Sequence, residues 1–231
     1  MKPMLAQDWD FTADPAGWLV SEKLDGVRAI WDGSRFISRN GREFPAPAHV
    51  IAAMPSGVIL DGELWLGRGR FQETVSAVRR GDWSSLRFMV FDAIRPGSLL
   101  DRIAFLGCLS LPLFCEILPQ QICAGEDDLD RLESEILEAG GEGLVLRNPA
   151  SVYEHRRSRE MRKLKRFCAS EATVTGHDGS TILAEMMGVP FRVAGRGELP
   201  EVGAEITVSF FGLTDDGMFR HPSLVGVRDY E

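Results

Sequence analysis

The chain has 231 residues, 44% of them hydrophobic, enough for one large domain or for a medium and a small one. No apolar run approaches the roughly 18 residues of a membrane span, so no membrane partner is expected. A net charge of −8 and a pI near 5.1 count against a nonspecific nucleic-acid binder, whose footprint is normally basic.

The opening segment, Met1 to Asp8, lacks the apolar h-region of a secretion signal. It predicts a cytoplasmic chain as the sequence stands, and a periplasmic one if a leader has been removed. Trp18 to Glu22 is a short strand ending at Lys23, followed by Leu24-Asp25-Gly26-Val27-Arg28. A lysine amine is protonated at neutral pH and becomes a nucleophile only where burial, a metal or neighbouring cations lower its pKa. A lysine before an Asp-Gly turn is also common at strand ends for purely structural reasons. Arg28 to Trp31 and Arg35 to Ser38 flank Asp32-Gly33-Ser34, a hairpin signal. Val58 to Leu60 and Leu64 to Leu66 flank Asp61-Gly62-Glu63 and predict a second hairpin of the same kind.

Helices are predicted from about Phe71 to Arg80 and from about Asp127 to Ala139, the second with Leu129, Leu132 and Ile136 on one face and Gly140 as its stop. Phe88 to Phe91 and Gly143 to Leu146 are apolar runs short enough for buried strands. Arg102 to Gln121 carries no firm signal. The larger part therefore reads as mixed α and β with antiparallel pairing. Beyond Phe167 the candidates are short strands: Ala172 to Thr175, Phe191 to Ala194, Glu205 to Phe211 and Leu224 to Val227. Short strands between glycine-rich turns fit a small β-barrel such as an OB-fold. The expected organisation is α+β, with a domain over 1–167 and an OB-fold barrel over 168–231.

The four cysteines, Cys108, Cys115, Cys123 and Cys168, have no metal-like spacing. They read as buried thiols of a reducing compartment, with a pairing among the first three left open. Charge is unevenly spread. Seven basic residues fall in the eleven from Arg156 to Arg166, whereas the chain from Cys168 onward has four Lys or Arg against ten Asp or Glu. A basic stripe thus separates the larger part from an acidic tail part.

The polar residues worth naming cluster at strand ends. Glu63 follows Asp61-Gly62, Phe91-Asp92 closes one strand, and Glu142 opens another. Lys163 and Lys165 are two apart, so on a strand they share a face. Singly, each has a structural explanation: an exposed turn acid, a core aromatic, an acid beside a helix end, edge charges that discourage aggregation. Together, a lysine nucleophile, two acids and two cations suit a nucleoside triphosphate, with an oxygen-liganded Mg²⁺ on the phosphates and an aromatic face under the base.

The series Glu22-Lys23-Leu24-Asp25-Gly26-Val27-Arg28, Ser38-Arg39-Asn40-Gly41, Leu60-Asp61-Gly62-Glu63-Leu64, Val90-Phe91-Asp92, Glu142-Gly143-Leu144-Val145 and Lys163-Leu164-Lys165 resembles the ordered motifs of the covalent nucleotidyltransferases. These are DNA ligases, RNA ligases and mRNA capping enzymes. Pro3-Met4-Leu5-Ala6, Leu64-Trp65-Leu66-Gly67-Arg68-Gly69 and Phe219-Arg220-His221-Pro222 resemble the minimal bacterial ATP-dependent DNA ligases, and the likeness runs along essentially the whole chain.

The resemblance implies a nucleotidyltransferase (adenylation) domain ahead of the OB-fold, ATP with Mg²⁺ or Mn²⁺ as cofactors, and a monomer acting on nicked duplex DNA. It implies that Lys23 attacks the α-phosphate. ATP or AMP would be held by Glu22, Arg28, Arg39, Glu63, Phe91, Lys163 and Lys165, and the metal by Glu63 and Glu142. Arg157, Ser158, Arg68 and Arg70 would meet DNA. Arg220 and Asp229 are the candidates for the family's last motif. An RNA ligase, a guanylyltransferase and a catalytically silent nucleic-acid-binding module are the alternatives. The intact Lys23, Glu63, Glu142, Lys163 and Lys165 argue against the silent module.

Overall fold

The computed structural model describes residues 2–165, 168–195, 197–210, 217–219 and 222–227. It divides into two compact units, Met1–Lys165 and Arg166–Glu231. The sequence candidates Arg166, Phe167, Phe211, Arg220, His221 and Asp229 lie outside the described residues.

The first unit begins with strands β1 (Leu5–Asp8), β2 (Leu19–Glu22), β3 (Val27–Trp31) and β4 (Phe36–Ser38), then helix α1 (Ala48–Ala53). Strand β5 (Leu60–Trp65), helix α2 (Phe71–Arg80), strand β6 (Arg87–Ala93) and helix α3 (Leu99–Gly107) follow. Strands β7 (Cys115–Ile117) and β8 (Gln121–Ile122), helix α4 (Glu126–Glu138), β9 (Leu144–Arg147) and β10 (Arg157–Leu164) complete it.

Two five-stranded sheets result, with orders β1-β10-β9-β2-β8 and β4-β3-β5-β6-β7. Their pairings are antiparallel except that β1 runs parallel to β10 and β7 parallel to β6. Each sheet has its own apolar core. That of the second is aromatic: the Phe36 ring lies 5.0 Å from Trp31, 4.7 Å from Trp83 and 5.1 Å from Phe88 between centroids. Offset and edge contacts of this kind add about 0.5–1.5 kcal/mol each beyond their burial.

The second expected hairpin is not formed. Asp61-Gly62-Glu63 lies inside the continuous strand β5, with a register shift against β6 between Asp61 and Gly62. Gly62 is needed for close approach and not for a turn, because a Cβ there would lie 2.6 Å from the Met89 carbonyl oxygen and from the Phe88 ring.

The helices follow local chemistry. α2 buries Thr74, Ala77 and Val78 and ends at Gly81, which is left-handed at φ 71°. α4 carries Glu126, Asp127 and Asp128 in its first turn, favourable against the helix dipole, and buries Leu129 and Leu132. The segment without a firm signal contains most of α3, which starts at a Ser98–Asp101 capping box.

The second unit is one antiparallel sheet. Its strands are β11 (Cys168–Asp178), β12 (Thr181–Met186), β13 (Val189–Ala194), β14 (Glu205–Phe210) and β15 (Ser223–Val227), in the order β13-β12-β11-β14-β15. β12 carries no strand signal in the sequence. Ile182, Ala184, Ile206 and Val208 form the fully buried centre of the core.

Cys108, Cys115 and Cys123 are free thiols, so the pairing left open is not made. The exposure of Cys108 corrects its reading as buried, while burial pushes the Cys115 thiol up to about 12. Among the described residues no helix is long and apolar enough to cross a membrane.

Candidate active site

The backbone passes from the first sheet to the second at Lys23. β2 ends at Glu22 and β3 begins at Val27, and the Lys23 amide donates to the Gly143 carbonyl oxygen at 2.8 Å. The crossover packs tightly: a Cβ on Gly26 would lie 2.5 Å from the Leu64 carbonyl oxygen and 2.8 Å from Glu63 Cγ. Glycine lets the Lys23 segment press against β5. Lys23 therefore opens into a cleft with Ser21, Met161 and Lys163 on one wall and Arg28, Glu63 and Phe91 on the other.

Glu142 holds two lysines. Lys23 Nζ donates to Glu142 Oε2 at 2.5 Å, and Lys165 Nζ donates to Oε1. Burial opposes the Glu142 charge, but Lys23 and then Lys165 outweigh it and hold the carboxyl below its usual range. Burial lowers Lys165 despite the same pairing. The three groups form one partly buried cluster at the cleft.

The opposite wall is built on Asp61. Arg28 Nε and Nη2 donate to its two oxygens at 2.6 Å each, and Tyr153 Oη donates to Asp61 Oδ2 at 2.5 Å. The Tyr153 oxygen also accepts from the Met4 amide at 3.0 Å. Burial opposes the Arg28 charge, yet Asp61 raises its pKa; burial raises the Tyr153 phenol. The Arg28 guanidinium lies 4.4 Å from the Phe91 ring centroid, a cation–π contact.

The Phe91 carbonyl accepts from Arg147 Nη2 at 2.9 Å and from Gln120 Nε2 at 3.0 Å. The next residue, Asp92, is fully buried and takes Arg102 Nε at 2.7 Å and Arg147 Nη1 at 3.0 Å. Phe91 is thus fixed through its ring, its carbonyl and its neighbour. Burial pushes Glu63 up to about 8 against the pull of Arg28 and Lys23.

The remaining candidates are more dispersed. Lys163 lines the cleft and pairs with Asp8 at 3.0 Å. Arg39 and Arg157 line an adjoining recess with Lys2, His155 and Arg156. Ser158 is buried, and its hydroxyl donates to Glu154. Glu22 gives its carboxylate to the Arg68 fork, and Arg70 gives its fork to Glu73. Glu22 lines the cleft between Ser21 and Lys23, but its carboxylate is taken up by Arg68.

Asp61, Tyr153, Arg147 and Gln120 are missed by sequence reasoning. Asp61 is hidden by its Asp-Gly neighbourhood. The other three are isolated polar residues whose partners lie far along the chain. No short capping or turn pattern marks these three.

Residues 3–165 match the family model for the ATP dependent DNA ligase domain. A DNA ligase of Haemophilus influenzae is 34% identical over 226 residues, covering 88% of this chain and 84% of that one. A solved Lig E DNA ligase structure superposes with a TM-score of 0.89 at 31% identity, covering 99% of both chains. The Chlorella virus DNA ligase-adenylate structure has a TM-score of 0.61 at 20% identity, covering 99% of both chains, a likeness of fold. With a matched domain and a 34% identical relative along most of its length, the chain belongs to the ATP-dependent DNA ligases.

Proposed function

We propose that this ATP-dependent DNA ligase seals breaks between a 3′-hydroxyl and a 5′-phosphate in nicked duplex DNA, as a monomer, through an adenylate on Lys23. The observation that carries the reading is Lys23 in a cleft facing Arg28, Glu63 and Phe91, with Glu142 at its amine and Lys165 on the other Glu142 oxygen. Neutral Lys23 Nζ attacks the α-phosphorus of ATP. The P–N bond forms, the α–β bridging bond breaks, pyrophosphate leaves and the amine loses a proton. A 5′-phosphate oxygen next attacks the same phosphorus, and Lys23 leaves with a proton. The 3′-hydroxyl then attacks the activated 5′-phosphorus, loses its proton and expels AMP. Covalent activation is needed because a 5′-phosphate has no good leaving group.

Phe91 supports the base, Arg28 and Glu63 face the ribose, and Lys163 and Lys165 neutralise the α-phosphate. Arg39, Arg156 and Arg157 share a cationic recess suited to the 5′-phosphate strand. Among the described residues no three acids, histidines or cysteines form a metal-holding group. Glu63 and Glu142 fit Mg²⁺ or Mn²⁺ as an ion held by one or two carboxylates, water and substrate phosphates. Bound there, the ion would stabilise charge on the phosphoryl oxygens.

An OB-fold barrel in the second unit, which begins within two residues of the expected 167/168 boundary, is supported by its strand order. β11 pairs with both β12 and β14, and the edge strands β13 and β15 approach within 8 Å. Five strands closing in this way suit a small Greek-key barrel.

The test is incubation with α-labelled ATP and Mg²⁺, then a chase. The expected result is a denaturation-resistant enzyme–AMP band, absent in Lys23→Ala, discharged by nicked DNA and not by nicked RNA. A band surviving in Lys23→Ala, or one discharged only by RNA, overturns the reading.

A further inference from the structure

Arg68 joins three pieces of backbone beside the nucleophile. Its Nε and Nη2 donate to the two Glu22 oxygens at 2.8 Å each, and its Nη1 donates to the Ala139 carbonyl oxygen at 3.3 Å. Glu22 directly precedes Lys23. Ala139 caps α4, three residues before Glu142. Arg68 itself follows β5, the strand that carries Glu63. The Glu22 carboxylate also lies against the Glu142 loop, since a Cβ on Gly141 would be 3.0 Å from Glu22 Oε1. The Glu22 side chain is only 15% exposed and that of Arg68 36%, so this fork is better shielded than the Arg70–Glu73 pair at 46% and 60%.

A bidentate guanidinium–carboxylate pair fixes direction as well as distance. Here it ties the end of β2, the end of α4 and the start of the loop after β5. These three segments carry Lys23, Glu142 and Glu63, which come from different sheets. We propose that Arg68, acting through Glu22, is a positioning residue for self-adenylation: it sets Lys23 and Glu142 against the β5 wall, and it is not primarily a DNA contact. The inference rests on Lys23 as the nucleophile.

The test measures self-adenylation with ATP and Mg²⁺ in the absence of DNA, for the wild type, Arg68→Ala, Arg68→Lys, Glu22→Gln and Arg68→Ala/Glu22→Gln. Misplacing a reacting group by 1 Å can cost about 10²-fold. Arg68→Ala should therefore slow adenylate formation by about 10-fold or more while the ATP concentration for half-saturation changes less than about twofold. Arg68→Lys should recover little, because an ammonium cannot make the fork. The double variant should be no slower than the worse single one, as for two halves of one contact.

A residue that only supports the fold would move the melting temperature in proportion to the rate. The proposal expects the rate to fall with the melting temperature within a few degrees of wild type. A DNA contact would leave adenylation unchanged and weaken nick binding instead. Wild-type adenylation in Arg68→Ala, or additive losses in the double variant, overturns the proposal. A wild-type protein that forms no adduct overturns the Lys23 reading beneath it.

Discussion

Lys23 Nζ and Glu142 Oε2 are 2.5 Å apart across 119 residues of chain, and the second Glu142 oxygen belongs to Lys165. The proposed nucleophile therefore rests on an acid that is shared with another cation. Lys23 has a side chain 25% exposed and lies in a cleft, not in the core. Lys23→Ala removes one of two partners of Glu142 and leaves the other. It should leave a cooperative thermal transition, because Lys165 still pairs with Glu142, and abolish adenylate formation. Thermal unfolding beside the adenylation assay checks this, and a lost cooperative transition would contradict it.

Glu63 provides a pH dependence. Burial raises its folded pKa from 4.5 to about 8, so the unfolded chain releases the proton first as pH rises. Stability should fall from about pH 4.5 to pH 8 through this group and level off beyond. Glu63→Gln should flatten that slope and weaken nucleotide binding. Mn²⁺ held as proposed, by the ionised carboxylate, should raise the melting temperature more at pH 8 than at pH 5. Melting curves across this range, with and without the ion, decide the matter; an unchanged slope in Glu63→Gln would assign it to other groups.

The second wall depends on pairs that exclude water. Asp61 and Asp92 are both fully buried, and removing one partner of a buried ion pair costs about 3–5 kcal/mol. Asp92→Asn weakens the hold on Arg102 and Arg147 together and should be among the most destabilising isosteric changes in this unit. Tyr153→Phe keeps the ring and removes two hydrogen bonds, for about 1–3 kcal/mol. Because Tyr153 acts through Asp61 and Arg28 on Phe91, it should also raise the ATP concentration needed for half-maximal adenylation. Denaturant melts and ATP titrations of both variants separate the effects.

Legibility in the sequence follows the range of the interaction. α2 and α4 are readable because their apolar residues repeat every three or four positions and Gly81 and Gly140 follow them. Lys23, Glu63, Phe91 and Glu142 are readable as motif residues at strand ends. Gly62 is misread because the Asp-Gly pair is a local turn signal, whereas its real constraint is the Met89 carbonyl across the sheet. Leu183-Ala184-Glu185-Met186 is made of helix formers, and β12 forms from them because the strands on both sides pair with it. Tyr153 meets Asp61 across 92 residues, a distance at which no pattern in one sequence speaks.

Salt should divide the reaction in two. In the proposed reaction self-adenylation needs only ATP and the metal, whereas the later steps require an acidic protein to hold a duplex. Arg156, Arg157 and Arg159 are exposed on or beside β10, and the first two line the recess that also holds Arg39 and Lys2. Each phosphate neutralised by the protein adds about 0.9 to the steepness of log affinity against log salt. Replacing Arg156, Arg157 and Arg159 with Gln should make the slope for nicked duplex shallower by up to that amount for each phosphate no longer neutralised, and leave enzyme–AMP formation near wild type. Arg157 Nη1 now donates to the Ala6 carbonyl oxygen at 2.5 Å, so its removal alone should flatten the slope less than the triple change. Binding titrations at several salt concentrations give the slopes. An unchanged slope in the triple variant would mean that the duplex is held elsewhere on the chain.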